Sequence, residues 1–210
     1  MRRVAVLGAT GSIGRSTLDV IQRHPDRYQV TLLSAHRSVD DMEALCRTHQ
    51  PTHAVMGDPD AAAALADRLA DLSQVTVESG AAVLDDLVAE TNVDAVVAGI
   101  VGFAGLRPTL SAARAGKTIL LANKEALVSA GGLFMETVRQ GGATLLPVDS
   151  EHNAMHQCLP VAPDGRPDMT DVEKIVLTAS GGPFRGRSRS SLDAVTPAEA
   201  CAHPTWSMGQ

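Results

Sequence analysis

The stretch "VAVLGATGSIG", Val4 to Gly14, does most to limit how this chain folds. An apolar run of strand length meets a glycine-rich turn, and the chain then enters a helix expected over Ser12 to Arg23. A strand feeding a helix in this way opens a parallel sheet, because parallel neighbours require a crossover connection. The pattern recurs. "YQVTLLSA", "HAVMG", "VTVES", "DAVVAGI" and "TILLA" read as strands. They alternate with helices over "VDDMEALCRTH", "DAAAALADRLADL", "AAVLDDLVAE", "LRPTLSAARAG" and "KEALVSAGGLFMETVRQ". Ser38 is expected to cap the second helix, and Asp58 with Pro59 to open the third. "ATLLPV" is expected to add a last strand.

This order predicts an α/β fold, a Rossmann-like doubly wound parallel sheet over residues 1–149 that binds a nucleotide. Residues 150–210 then break the pattern: "HNAMHQCL" reads as a helix, "VAPDGRPDMTD" as a loop and "EKIVLTA" as a strand, followed by loop and short helix. They read as the opening of a second, α/β or α+β catalytic domain, with few regular elements of its own. Composition agrees with the sheet. Aromatic residues are only 2% of a chain that is 44% hydrophobic, so aliphatic side chains must fill the core, as they do between parallel strands and helices.

A net charge of -6 argues against a nucleic-acid partner. Cys46, Cys158 and Cys201 form no CxxC pair, which disfavours structural zinc or a disulfide framework and suits a reducing cytosol. The apolar run after the two leading arginines is too short for a signal sequence, and no run of about 18 apolar residues occurs. The expectation is a cytoplasmic protein with no membrane partner.

Three clusters carry the chemistry. Gly8, Gly11 and Gly14 give a GxxGxxG loop, which lets backbone approach a pyrophosphate at a helix N-terminus; a purely structural turn is the alternative. The second strand ends in "SAHRS" without the acid that would take a ribose hydroxyl. Arg37, with Ser38 and His36, suits a 2′-phosphate instead, which predicts NADPH; a solvated arginine is the alternative. "LLPVDSEHNAM" sets Asp149 and Glu151 two apart behind a strand, on one side of it if the strand persists. Such a pair suits Mg²⁺ or Mn²⁺, and capping of the next helix by Asp149 or Ser150 is the alternative.

Other strand ends add to these. Asn123, Lys124 and Glu125 follow one strand, and Ser180, Gly181 and Gly182 follow another, where they could cradle a phosphate. His152 and His156 are four apart, but "HNAMH" lacks the glutamate of a zinc protease helix, so zinc is not expected. "FRGRSRS" reads as a solvated loop. Trp206, in "HPTWSMG", suits either a lid over substrate or a side chain packed under a loop.

Taken in order, "GATGSIGRSTLDV", "AGIVGFAGLRPTL", "AGKTILLANKEALV", "LLPVDSEHNA", "LTASGGPF" and "HPTWSMG" resemble the 1-deoxy-D-xylulose 5-phosphate reductoisomerase family over nearly the whole chain. The resemblance implies an NADPH- and divalent-metal-dependent rearrangement and reduction of a phosphorylated ketose, by a homodimer. It implies that Thr10, Gly11, Ser12 and Ile13 hold the pyrophosphate region, and that Asn123, Glu125 and Gly209 also contact NADPH. Asp149 and Glu151 would hold the metal. Lys124, Ser150, Glu151, Ser180 and His203 would bind substrate, with Trp206 and Met208 on a flap. The sequence departs from the family in having His36 where glycine is common and Ser38 where asparagine is common. It also stops at Gln210, before a segment in which the family carries a third metal-binding glutamate, so this chain alone is expected to be inactive.

Two other readings compete. A semialdehyde-type NADP reductase needs a catalytic cysteine, and neither Cys158 nor Cys201 sits in a glycine-flanked turn. A non-catalytic NADPH-binding module is the other.

Overall fold

A computed structural model describes residues 1–162, 167–178 and 181–204. Contacts divide the chain into two units, Met1–Asn153 and Ala154–Gln210.

The first unit is one seven-stranded sheet, all of its pairings parallel. In chain order the strands are β1 (Arg2–Leu7), β2 (Tyr28–Ala35), β3 (His53–Met56), β4 (Thr76–Ser79), β5 (Ala95–Ala98), β6 (Thr118–Leu121) and β7 (Thr144–Pro147). Their order in the sheet is β4-β3-β2-β1-β5-β6-β7. The chain therefore builds outward from β1 to β4, returns to the other side of β1, and builds outward again. The reversal lies between β1 and β5, where open α/β sheets leave a crevice at the strands' C-terminal ends.

The expected helices form with small changes of boundary: α1 (Ser12–Arg23), α2 (Val39–His49), α3 (Pro59–Arg68), α4 (Ala81–Leu87), α5 (Leu106–Arg114) and α6 (Glu125–Gly141). In α1 the buried residues are Gly14, Leu18 and Ile21, spaced four and three apart, so one face meets the sheet. Period-two alternation splits the core. Ala5 and Leu7 of β1 belong to a cluster with Leu110 and Phe134, whereas Val4 and Val6 belong to one with Leu18, Met42 and Leu65. Helices thus cover both faces, and the four residues of β5 are all buried.

Local signals mostly do what their chemistry predicts. Asp58 caps α3, its Oδ1 accepting from the amides of Asp60 and Ala61 at 3.1 Å each, with Pro59 in the first turn. Ser38 stands at the α2 cap position, but its hydroxyl makes no capping hydrogen bond. In α6, Ala130 leaves helical geometry at φ -142° and ψ 29°, just before Gly131 and Gly132, which kinks the helix.

Helix α7 (Ser150–Cys158) begins in the first unit and continues into the second. Beyond it, the second unit contains short turns of 3₁₀-helix at Gly182–Phe184 and Arg189–Leu192, and α8 (Pro197–Cys201). Thr196 and Glu199 form a reciprocal capping box at the start of α8. The strand expected over "EKIVLTA" does not form. Residues 173–178 are irregular, with Ala179 outside the described residues. Apolar β-branched residues favour a strand only where a neighbour completes the hydrogen-bond ladder, and among the described residues none pairs with this segment. No helix among the described residues is long and apolar enough to cross a membrane.

Candidate functional site

The crevice between β1 and β5 is walled by backbone. Gly8 has φ +75°, and a Cβ there would stand 2.8 Å from the Gly99 carbonyl oxygen; one on Gly99 would stand 2.9 Å from the carbonyl oxygen of Leu7. Helix α1 approaches as closely, because a Cβ on Gly14 would meet the carbonyl oxygens of Gly8 and Ala9 at 2.4 and 2.5 Å. Packing therefore requires glycine at positions 8, 14 and 99. Gly11 is different: its φ of -78° is ordinary, and a Cβ there would meet only the Gly8 carbonyl, at 3.3 Å. A glycine that the chain itself scarcely demands, at the cap of a helix without a capping side chain or a first-turn acid, is open to a phosphate. Thr10, Ser12 and Ile13 flank it. Arg15 steadies this loop by donating from Nε to the Thr10 carbonyl at 3.0 Å, and its guanidinium pairs with Asp41 of α2 at 2.8 Å.

At the end of β2, His36, Arg37 and Ser38 are all exposed. The Arg37 Nε donates to Asp58 Oδ2 at 2.8 Å, and its side chain is 72% exposed against 18% for Asp58. Asp58 was legible as a helix cap but not as a partner of Arg37. The signal that could have found it is sheet order, since β3 lies beside β2 and their C-terminal loops must be neighbours.

The rim after β6 and β7 holds the carboxylate. Strand β7 ends at Pro147 and α7 starts at Ser150, so strand geometry does not reach Glu151. This corrects the expectation that Asp149 and Glu151 share one side of a persisting strand. Asp149 instead precedes the helix, its backbone oxygen accepting from the Asn153 amide at 2.8 Å, while Glu151 lies exposed in the first turn. The Val148 amide still donates to the Leu121 carbonyl at 2.9 Å, and the helix starts two residues later at Ser150.

Asp149 Oδ1 accepts from His152, at 2.7 Å from Nδ1 and 3.4 Å from the backbone amide, and Oδ2 faces Lys124 Nζ at 3.4 Å. The Asp149 side chain is only 14% exposed. Burial opposes its ionisation, but the hydrogen bonds from His152 and the charge of Lys124 outweigh that, and hold the carboxyl below its usual range. Leu121, Leu127, Leu145 and Pro147 complete a pocket of about 190 Å³ around the three polar side chains. An ionised, partly desolvated oxygen donor of this kind suits a hard cation. Among the described residues no three His, Cys, Asp or Glu side chains cluster as a metal site.

Asn123 is buried. Its Nδ2 donates to the carbonyls of Ile100 and Gly102 at 2.5 and 2.7 Å, and its Oδ1 accepts from the Glu125 amide at 3.0 Å. It thus ties the loop after β5 to the loop after β6. Glu125 itself is exposed at the start of α6.

In the second unit the turn at Gly181 and Gly182 has φ of +86° and +57°, and a Cβ on Gly182 would lie 3.8 Å from Cδ2 of His203. Two of the sequence clusters therefore meet here. Ser180, Trp206, Met208 and Gly209 lie outside the described residues. Arg187 of the basic loop is held locally, donating to the Ser191 carbonyl at 2.8 Å and lying 5.3 Å from the Phe184 ring centroid.

Comparison with known proteins bears on the whole chain. Residues 4–131 match the family model of 1-deoxy-D-xylulose 5-phosphate reductoisomerase, and residues 145–210 match that of its C-terminal domain. The reductoisomerase of Ralstonia nicotianae is 57% identical over 212 residues, covering 100% of this chain and 53% of the relative. That of Pseudomonas putida is 56% identical over 211 residues with the same coverage. A crystal structure of DOX-P reductoisomerase with NADPH, fosmidomycin and magnesium superposes with a TM-score of 0.84 at 45% identity, over 100% of this chain and 53% of that one. The Zymomonas mobilis enzyme with NADPH gives 0.81 at 48% identity, over 94% and 50%. The chain thus spans about half the length of the curated relatives it matches.

Proposed function

Since the chain belongs to the 1-deoxy-D-xylulose 5-phosphate reductoisomerase family, we propose that it serves the conversion of 1-deoxy-D-xylulose 5-phosphate to 2-C-methyl-D-erythritol 4-phosphate, with NADPH and Mg²⁺ or Mn²⁺. In this reading residues 1–149 bind the dinucleotide and residues 150–210 belong to the catalytic domain of a cytoplasmic homodimer. The observation that carries the reading is that the glycine-lined crevice beside Gly8 and the ionised Asp149 next to Lys124 occupy the same C-terminal rim of one sheet.

The dinucleotide, when bound, supplies a hydride, and the divalent cation supplies Lewis-acid polarisation of substrate oxygens. The chain supplies the rest. Thr10, Gly11, Ser12 and Ile13 offer a helix N-terminus to the pyrophosphate, and Arg37 with His36 and Ser38 takes the 2′-phosphate. Asn123 fixes the loops beside the cofactor, and Glu125 and Gly209 contact it. Asp149 and Glu151 present carboxylates to the cation. Lys124 places a positive charge against the same Asp149, where it stabilises negative charge that develops on the ketose as its carbon skeleton is cleaved and rejoined. Ser150, Ser180 and His203 bind the phosphorylated substrate, and Trp206 and Met208 exclude water from it.

Mn²⁺ and NADPH titrations of the chain and of its Asp149→Asn variant test this reading. The variant is expected to lose at least about tenfold in Mn²⁺ affinity and to keep NADPH affinity within about twofold, since the crevice lies at the ends of β1 and β5, with β6 between them and β7. Equal loss of both ligands would make Asp149 a structural residue and remove the metal assignment.

A further inference from the structure

The acid that the end of β2 lacks follows the neighbouring strand, and both of its oxygens are engaged. Asp58 follows β3, and the two loops are joined by backbone as well: the Gly57 amide donates to the Ala35 carbonyl at 2.9 Å and the Asp58 amide to the His36 carbonyl at 3.1 Å. One carboxylate oxygen of Asp58 caps α3, and the other accepts from Arg37 Nε. The Ala61 amide first, and Arg37 second, hold this carboxyl below its usual range, so it stays charged. Both oxygens already hold a partner, the helix on one and Arg37 on the other. With Nε engaged, the two Nη groups of a largely exposed guanidinium remain as the free end of the fork. His36 lies against the same loop, its Nδ1 2.5 Å from where a Cβ on Gly57 would stand.

We propose that Asp58 is a positioning residue for cofactor choice: by anchoring Arg37 through Nε, it presents Nη1 and Nη2 to the phosphate monoester that distinguishes NADPH from NADH. The proposal rests on the reading of Arg37 as the 2′-phosphate ligand. Pre-aiming the fork removes ordering cost from binding, and does so for the phosphorylated cofactor alone.

The test uses Asp58→Asn and Asp58→Ser, because both residues cap helices well. Asparagine has a single acceptor oxygen, so it cannot serve the helix and Arg37 together, and serine is too short to reach the arginine. Dissociation constants for NADPH and NADH are measured by calorimetry on the chain, on each variant, on Arg37→Ala and on the double variants, with thermal midpoints as a check on folding. Arg37→Ala is expected to weaken NADPH by about a hundredfold and leave NADH within about twofold. Both Asp58 variants are expected to weaken NADPH by about five- to tenfold, to leave NADH unchanged, and to add nothing once Arg37 is gone. An unchanged NADPH to NADH ratio in Arg37→Ala removes the arginine assignment and this proposal with it. If Arg37→Ala acts as expected while the Asp58 variants bind NADPH as well as before, or lose NADPH and NADH alike, then Arg37 stands and Asp58 is only a helix cap.

Discussion

In the first unit the strand β5 reads "AVVA" and each of its residues is buried; in the second, Ile175, Val176 and Leu177 make an equally apolar run and are 50%, 72% and 56% exposed. The first run has β1 on one side, β6 on the other and helices above and below. The second has no ladder partner among the described residues. Sequence character is the same in both. What differs is the neighbour, and a strand is a property of a pair. The backbone bonds of a helix do not need such a partner: those of α8 in the second unit close within the segment, which starts on a capping box and has no buried residue.

Thiol chemistry gives the largest contrast between the units. Cys46 is buried in the first, with burial pushing its thiol up to about 12, whereas Cys158 and Cys201 are exposed in the second. Under native conditions at pH 8, two thiols per chain should react promptly with a disulfide reagent. Cys46 should lag by roughly a thousandfold or more, reacting through unfolding of the sheet. Comparable rates for all three would mean that the first unit opens readily enough to expose Cys46.

Truncation comes next in size. Phe134 is fully buried in α6, and Phe134→Ala should cost about 3 to 5 kcal/mol in urea denaturation. Val176→Ala, at an exposed position, should stay within about 0.5 kcal/mol. A large loss at Val176 would show that the second unit buries this run against something.

The smallest effect is electrostatic. Asp94 accepts hydrogen bonds from the Arg3 side chain and amide, which hold its carboxyl at about 2, against an ordinary 3.8. A depressed folded value adds stability above the ordinary range and loses it as the pH falls from about 4 towards 2. Stability of the first unit should therefore decline over that window, and Asp94→Asn should flatten the decline. An unaltered acid limb would assign acid sensitivity to other carboxylates.

The doubly wound sheet was legible because its signals are local: apolar runs of strand length, glycine turns between strand and helix, and Asp58–Pro59 at a helix start. The glycine loop was legible for the same reason. What escaped depended on partners distant in sequence. The ladder that "EKIVLTA" needs, the bond between Arg37 and Asp58 across 21 residues, and the Asn123 tether to Ile100 and Gly102 each require the tertiary neighbour to be known. Asp149 shows the other limit. Whether the backbone stays extended past Pro147 decides which side Glu151 faces, and one short segment carries signals for both strand and helix.

The contact of Gly8 with Gly99 binds the two halves of the sheet into a single heritable unit. Gly8 makes room for the backbone of Gly99 and Gly99 for that of Leu7, although 91 positions separate the two glycines, and neither tolerates a methyl group while the strands remain paired. A chimera that joins β1–β4 of one relative to β5–β7 of another therefore inherits a working crevice only if both parents contribute their glycine. Recombination points between the halves are free in sequence but coupled through these two residues.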